Sequence, residues 1–344
     1  MKKIFLLSRL GLLASLLGLS FASCDDSLIY DVEGDCSVNY RIRFKYDRNM
    51  KFADAFRNEV TSVALYVFDE SGTLVYQGAE SGEVLGNENY SMPVELQPGN
   101  YEMLAWCGVG NGESFTIHDA VVGVTKKNEL SCRMNRADGN GVGVVDRDLA
   151  PLYHGQLRVK FSDAPGTHYE TISLTKNTNV VRVILQHLSG EDVDPNQFSF
   201  EIQDYNGFMA YDNSLLSDEL LIYRPWSLKS GKADIDADIY NGKTRASSVG
   251  VAVAEMTTGR LMANARPILV VRNLAEDKVV LSVPIVDYAL LVKGNYNRGM
   301  DDQEYLDRQD EYSMTFFLDE SGDWVSSSII VNSWRVVLNN HVIK

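Results

Sequence analysis

Apolar and polar side chains alternate through SVNYRIRFKY (37–46): Val38, Tyr40, Ile42, Phe44 and Tyr46 share one face, and Arg41, Arg43 and Lys45 the other. A period of two is the mark of a half-buried strand. Ala53–Val60 predicts a short helix. Val60–Phe68 and Thr73–Gln77 flank Asp69-Glu70-Ser71-Gly72, a hairpin signal with a glycine free to take positive φ. Tyr90–Leu96 and Asn100–Cys107 flank a second turn, Gln97-Pro98-Gly99. Thr116–Val124, Glu129–Met134 and Leu157–Phe161 complete the predicted strands of the first half.

Pro165 and Gly166 interrupt regular structure in SDAPGTH (162–168), which is the predicted boundary. Beyond it, Glu170–Leu188 is the strongest apolar pattern, with a bend expected at Lys176–Asn177. Further strands are predicted at Phe198–Gln203, Gly250–Met256, Pro267–Arg272, Val279–Val286, Met314–Leu318, Trp324–Val331 and Trp334–Leu338. Helices are expected at Asp287–Lys293 and Asp301–Tyr312, the second capped by Asp301 or Asp302. Regular short strands with Gly- and Asp-rich turns point to all-β sandwiches. YVFDESGTLV (66–75) and FFLDESGDWV (316–325) repeat the same turn between apolar strands, through convergence on a good turn or through duplication.

The first residues read differently. Lys2, Lys3 and Arg9 precede a run of Leu, Ile, Phe, Ala and Gly. The run falls short of the ~20 residues of a membrane span and has the layout of an export signal. It ends in Phe21-Ala22-Ser23-Cys24, which resembles the lipobox of bacterial lipoproteins, with Phe21 where Leu is usual. The resemblance implies acylation of Cys24 as the first residue of the mature chain. Asp25 and Asp26 then resemble a surface-export signal. The expected divisions are a signal peptide (1–23), an acidic tether (24–35), an N-terminal sandwich (36–165) and a C-terminal sandwich (166–344).

The net charge of −15 falls to about −18 without the signal peptide, a surface that repels phosphate backbones and argues against nucleic-acid binding. If Cys24 carries lipid, Cys36, Cys107 and Cys132 remain, and they allow at most one intramolecular disulfide.

Candidate chemistry is sparse. DDQEYLDRQDEY (301–312) is acidic, but its acids would radiate around a helix, so a solvated connecting helix is expected instead of a calcium loop. ADIDADIYNG (233–242) lacks Gly and Glu at the calcium-loop positions and alternates like a strand. ADGNGVGVV (137–145) is expected to be a flexible loop rather than a dinucleotide fingerprint. His118, His154, His168, His187 and His341 form no HExxH, and there is no GxSxG elbow. No enzyme activity, metal or cofactor is expected. The 17 Tyr and 4 Trp could stack on sugars but mostly suit sandwich cores.

The order and spacing of FASC, YRIRFKYD, VALYVFDESGTLV, PGNYEMLAWCG, ISLTKNTNVVRV and QEYLDRQDEYSMTFFLD resemble the FimB/minor-fimbria anchor family of Bacteroidales type V pili. The resemblance covers nearly the whole mature chain. It implies two tandem transthyretin-like (Ig-like, Greek-key) β-sandwich domains with a few short connecting helices. It also implies an outer-membrane lipoprotein that meets fimbrial shaft or accessory subunits and influences fimbrial length, with Cys24 as the functional residue. No Arg lies between Cys24 and the first strand to serve as a processing site, so Ser37–Tyr46 is expected to stay paired in its own domain. Trp334–Lys344 is expected to end a core strand rather than to act as a donor. The alternative is a surface glycan- or host-binding lipoprotein, including a tip adhesin.

Overall fold

The structure, a computed structural model, describes residues 37–110, 112–235, 247–294 and 297–337. The expected signal peptide and tether, Cys24, Cys36, His341 and most of ADIDADIYNG lie outside the described residues. The chain runs β1 (Val38–Lys45), α1 (Phe56–Glu59), β2 (Ser62–Phe68), β3 (Leu74–Ser81), β4 (Met92–Val94), β5 (Gly99–Cys107), β6 (Phe115–Ile117), β7 (Ser131–Met134), β8 (Ala137–Asp138), β9 (Gly143–Val145), β10 (Tyr153–Phe161) and β11 (Gly166–Lys176). It continues through β12 (Thr178–His187), β13 (Phe198–Asp204), β14 (Phe208–Ala210), β15 (Leu221–Tyr223), β16 (Ser227–Ile235), β17 (Ser247–Gly259), β18 (Ile268–Asn273) and β19 (Lys278–Pro284). The last elements are α2 (Ile285–Leu291), α3 (Asp302–Arg308), β20 (Glu311–Leu318), β21 (Trp324–Val331) and β22 (Trp334–Val337).

The first sheet has the order β3-β2-β5-β10-β11-β1-β4. It folds over on itself. Tyr40 in β1 and Phe161 in β10 stand two strands apart, yet their rings stack with centroids 4.0 Å apart. In a flat sheet two strand spacings would separate them by about 10 Å. The fold is made within β11, whose residues 174–176 pair with β10 and whose residues 166–173 pair in parallel with β1. The layers enclose Ile42, Leu65, Met103, Ala105, Cys107 and Ile172.

The second sandwich sets β16-β17-β12-β20-β21-β22 against β19-β18-β13-β15-β9-β8, with the small sheet β14-β7-β6 beside them. Val181, Val183 and Leu185 of β12 are fully buried, as their alternation predicts. The all-β architecture with few short helices agrees with the reading of the sequence.

The boundary does not. Gly166–Lys176 is a strand of the first sheet, so a cut at 165/166 falls between two strands that pair with each other. Pro165 and Gly166 mark only a turn. The crossing comes at Asn177, where the predicted bend occurs. Residues 115–145 also move: β7 pairs with β14 and β9 with β15, so part of the expected first domain builds the second. The Gly-rich 137–145 stretch, expected to be a loop, is the β8–β9 hairpin.

The repeated turn is one structure used twice. Asp69 accepts from the backbone N–H of Ser71 and Thr73, and Asp319 from those of Ser321 and Asp323. Gly72 (φ 72°) and Gly322 (φ 76°) occupy the left-handed position that favours glycine. The settings differ: β2 continues to antiparallel β5, whereas β20 continues to parallel β12. The echo is therefore shared turn chemistry in two different topologies.

β5 joins the two bodies. Met103, Ala105 and Cys107 enter the first core, and Leu104 and Trp106 enter the second. Trp106 is fully buried, edge-on to His154 at 4.6 Å, and its indole N–H has no hydrogen-bond partner. Trp106→Ala should cost about 3–5 kcal/mol by leaving a cavity between the bodies. Trp106→Phe, which removes an N–H that bonds nothing, should cost much less, and denaturant unfolding of the two variants checks the contrast.

Candidate functional site

The described chain enters through β1, which is paired on both flanks. Val38–Lys45 runs parallel to Gly166–Ser173, and Tyr40–Ile42 runs antiparallel to Met92–Val94. Tyr40, Ile42, Phe44 and Tyr46 are buried. Arg41 on the opposite face donates from Nη2 to the Ser91 carbonyl at 2.6 Å. The strand is a built-in part of its sandwich in this chain. At the other end of the chain, β22 pairs with β21, and residues 338–344 lie outside the described residues.

Between the bodies lies a polar joint, buried at Asn177 and Asn213. Lys176 Nζ stands 2.6 Å from Asp310 Oδ2 and 3.6 Å from Glu59 Oε2. Fully buried Asn177 donates to the Leu152 carbonyl and exchanges side-chain hydrogen bonds of 2.6 and 3.1 Å with Asn213. Buried amides are stable only when satisfied this way. Arg308 donates to the Asp47 carbonyl and lies 4.7 Å over the Phe52 ring.

The acidic stretch 301–312 takes part in this joint. Only Asp302–Arg308 is helical, because β20 begins at Glu311. Asp301 caps the helix, accepting from Glu304 N at 2.6 Å. Asp307 is buried, and Arg260 grips it with Nε at 2.7 Å and Nη2 at 2.6 Å. The expected solvated face is thus partly a buried ion pair. Nothing in the sequence marks Arg260 as its partner, since 47 residues separate them.

A cavity of about 1070 Å³ opens between the end of α2, α3 and the β21–β22 turn. Leu291, Val292, Tyr305 and Trp334 line it, and Trp334 is 69% exposed. Several polar groups there are already engaged: Arg182 binds Glu255, Lys293 binds Asp302, and Asn332 Oδ1 accepts from Ser313 N.

The nucleophiles and titratable groups are structural. Cys107 and Cys132 are free thiols, one in each core, on opposite faces of the β5 sheet. Burial pushes the Cys132 thiol up to about 12 and raises Cys107 further, so neither forms a thiolate near neutral pH. His154 donates from Nε2 to the Tyr211 carbonyl at 2.8 Å, and burial lowers its pKa to about 4. Burial raises Asp204 to about 6. Among the described residues, no group of three or more His, Cys, Asp or Glu is placed to hold a metal ion. Among the same residues, no helix is long and apolar enough to cross a membrane.

The comparisons agree with this architecture. The model of the fimbrillin-A associated anchor proteins Mfa1 and Mfa2 matches residues 33–340. The chain belongs to that family. It is thereby a fimbria-associated surface protein, and its family is of the anchor and adhesin type rather than an enzymatic one. Among solved structures, it is similar to a candidate adhesin from Bacteroides thetaiotaomicron VPI-5482, with 34% identity and a TM-score of 0.77 over 87% of this chain and 97% of that one. A candidate polysaccharide-binding protein from the same organism shares 33% identity and a TM-score of 0.76 over 88% and 99% of the two chains. The fimbrial anchor protein Mfa2 from Porphyromonas gingivalis has the same fold, with a TM-score of 0.65 at 16% identity over 88% and 99%. No curated protein sequence matches the chain.

Two expected outcomes follow from the joint and from His154. Asp307→Ala removes the carboxylate that partners the largely buried Arg260, which keeps only its bond to the Asn213 carbonyl, and should cost about 3 kcal/mol in denaturant unfolding, against about 1 kcal/mol for loss of the Asp301 cap. His154 has a folded pKa below its unfolded value of about 6.5, so the stability it contributes is present above pH 6.5 and is lost as pH falls through about 4. Asp204 works in the opposite direction: its contribution is complete below the unfolded value of 3.8 and is lost as pH rises through about 6. His154→Gln should therefore flatten the loss of stability between pH 6.5 and 4 by up to about 3 kcal/mol, read from unfolding midpoints across that range.

Proposed function

We propose that this chain is a lipid-anchored outer-membrane protein that holds a type V fimbrium to the cell surface and influences its assembly or length. The match to the anchor family over residues 33–340 carries this reading. Cys24 supplies the attachment: acylated there, the chain is fixed by its lipid rather than by its own surface. A single acyl chain binds a bilayer only marginally, and each buried methylene adds about 0.8 kcal/mol, so durable anchoring requires several chains on that residue. Two-sided pairing of β1 supports a fixed terminal role. Its sandwich has no vacancy for a donated strand at that position, so fimbrial shaft or accessory subunits meet another surface.

A second reading is a surface glycan- or host-binding lipoprotein. The cleft and its exposed Trp334 favour it, as does the likeness to a candidate polysaccharide-binding protein. One experiment separates the two. In a strain carrying Cys24→Ala, an anchor role releases assembled fimbriae into the medium. Fimbriae that stay cell-bound at normal length reject that role and leave the binding reading.

A further inference from the structure

Residues 118–126, of which 118–124 read from sequence as the tail of a strand, form a tight loop that carries Val121, Val122 and Val124 at 56%, 47% and 69% exposure. The loop is held firmly. Val121 N donates to Thr125 Oγ1 at 2.8 Å, Thr125 N to the Val121 carbonyl at 2.9 Å, and Lys126 Nζ to Thr73 Oγ1 at 2.6 Å. Gly123, at φ 82°, turns the chain. Leu74 of β3 clasps the loop, donating to the Thr125 carbonyl and accepting from Gly123 N. Three apolar side chains are thus kept in water by a backbone that does not let them fold away.

Strand register locates this loop relative to the chain's point of entry. β1 begins opposite Gly166, and Tyr40 reaches Ser162 and Phe161 at the end of β10. Phe161 pairs with Gly99 at the start of β5. Glu102 pairs with Phe68 at the end of β2, and Phe68 with Leu74 at the start of β3. The entry point and the valine loop therefore share one end of the first sandwich. From β10 to β3 is three strand spacings, about 15 Å. Residues 25–36 separate Cys24 from Ser37, and with the bonds at either end that stretch spans at most about 45 Å when fully extended.

We infer that Val121, Val122 and Val124 dip into the lipid surface to which Cys24 is attached, so that the first sandwich rests on the bilayer by this loop instead of swinging on its tether. The inference rests on the lipid-anchor reading of Cys24. Its physical content is simple: the bilayer is what the tether brings to this end, and burying rigid apolar side chains there orders nothing that is not already ordered.

The test uses the full lipidated chain, reconstituted into phosphatidylethanolamine–phosphatidylglycerol vesicles with brominated acyl chains. The mass of the purified protein is checked for the acyl groups first. Val124→Trp places a fluorophore on the loop, and Leu274→Trp places one on the exposed β18–β19 turn (54% exposed) as a distant reference; wild-type emission is subtracted from both. Blue-shifted emission that bromine quenches for Val124→Trp, and unshifted, unquenched emission for Leu274→Trp, supports the inference. A vesicle-bound, lipidated Val124→Trp chain with unquenched emission overturns it and leaves the anchor reading standing. Emission that shifts only when purified fimbriae are added also overturns it, since the loop would then dock a protein. An unmodified Cys24 removes the premise and the anchor reading together.

Discussion

Strand β5 is covered on both sides. Side chains alternate across a strand, so Met103, Ala105 and Cys107 face one core while Leu104 and Trp106 face the other. Neither sandwich can lose this strand without exposing apolar surface of its neighbour. The same constraint explains why the chain between β5 and β10 belongs to the second core: Phe115, Leu130, Cys132 and Met134 cover the outer face of β5. The two bodies are consequently interleaved rather than strung in sequence. For a protein proposed to hold a filament, this matters mechanically, because a pull on one body is carried by a packed core and not by a peptide hinge.

Polar groups fix the angle at which the bodies meet. Apolar packing is non-directional, whereas the Asn177–Asn213 exchange and the Lys176–Asp310 pair, which bridge the bodies, are satisfied in one arrangement. Desolvation makes such groups costly to leave unpaired. The geometry is therefore specified by what would be lost if it slipped. His154 extends this logic, since its neutral ring joins the Trp106 edge and the Tyr211 carbonyl, and a proton on it would have no solvent to meet.

The surface divides the work. The end that receives the chain carries the entry strand, the Asp-Glu-Ser-Gly turn and the valine loop, and it suits contact with whatever the tether is fixed to. The second body carries most of the cleft lining and the β22 strand, far along the chain from β1. A first strand paired on both flanks fits a proposed subunit that begins a polymer without being extended at its own base.

Local pattern determined much of this from sequence. The alternation in 37–46 and in 180–186 marks β1 and β12 because a strand's faces repeat every two residues. Asp-Glu-Ser-Gly marks both tight turns because aspartate can bind two backbone N–H groups and glycine can take positive φ. The export-like start with Cys24 was legible as composition, outside the described residues. Tertiary structure alone decided which sheet each strand joins. Pro165–Gly166 looks like a boundary, yet Gly166–Lys176 pairs back onto β1, more than 100 residues away, and onto β10, because strand pairing is set by tertiary partners and leaves no local mark. Val121, Val122 and Val124 read as part of a strand for the same reason. Their hydrophobicity is written in the sequence, but their exposure is set by the clasp of Leu74, a residue whose position only the folded chain provides.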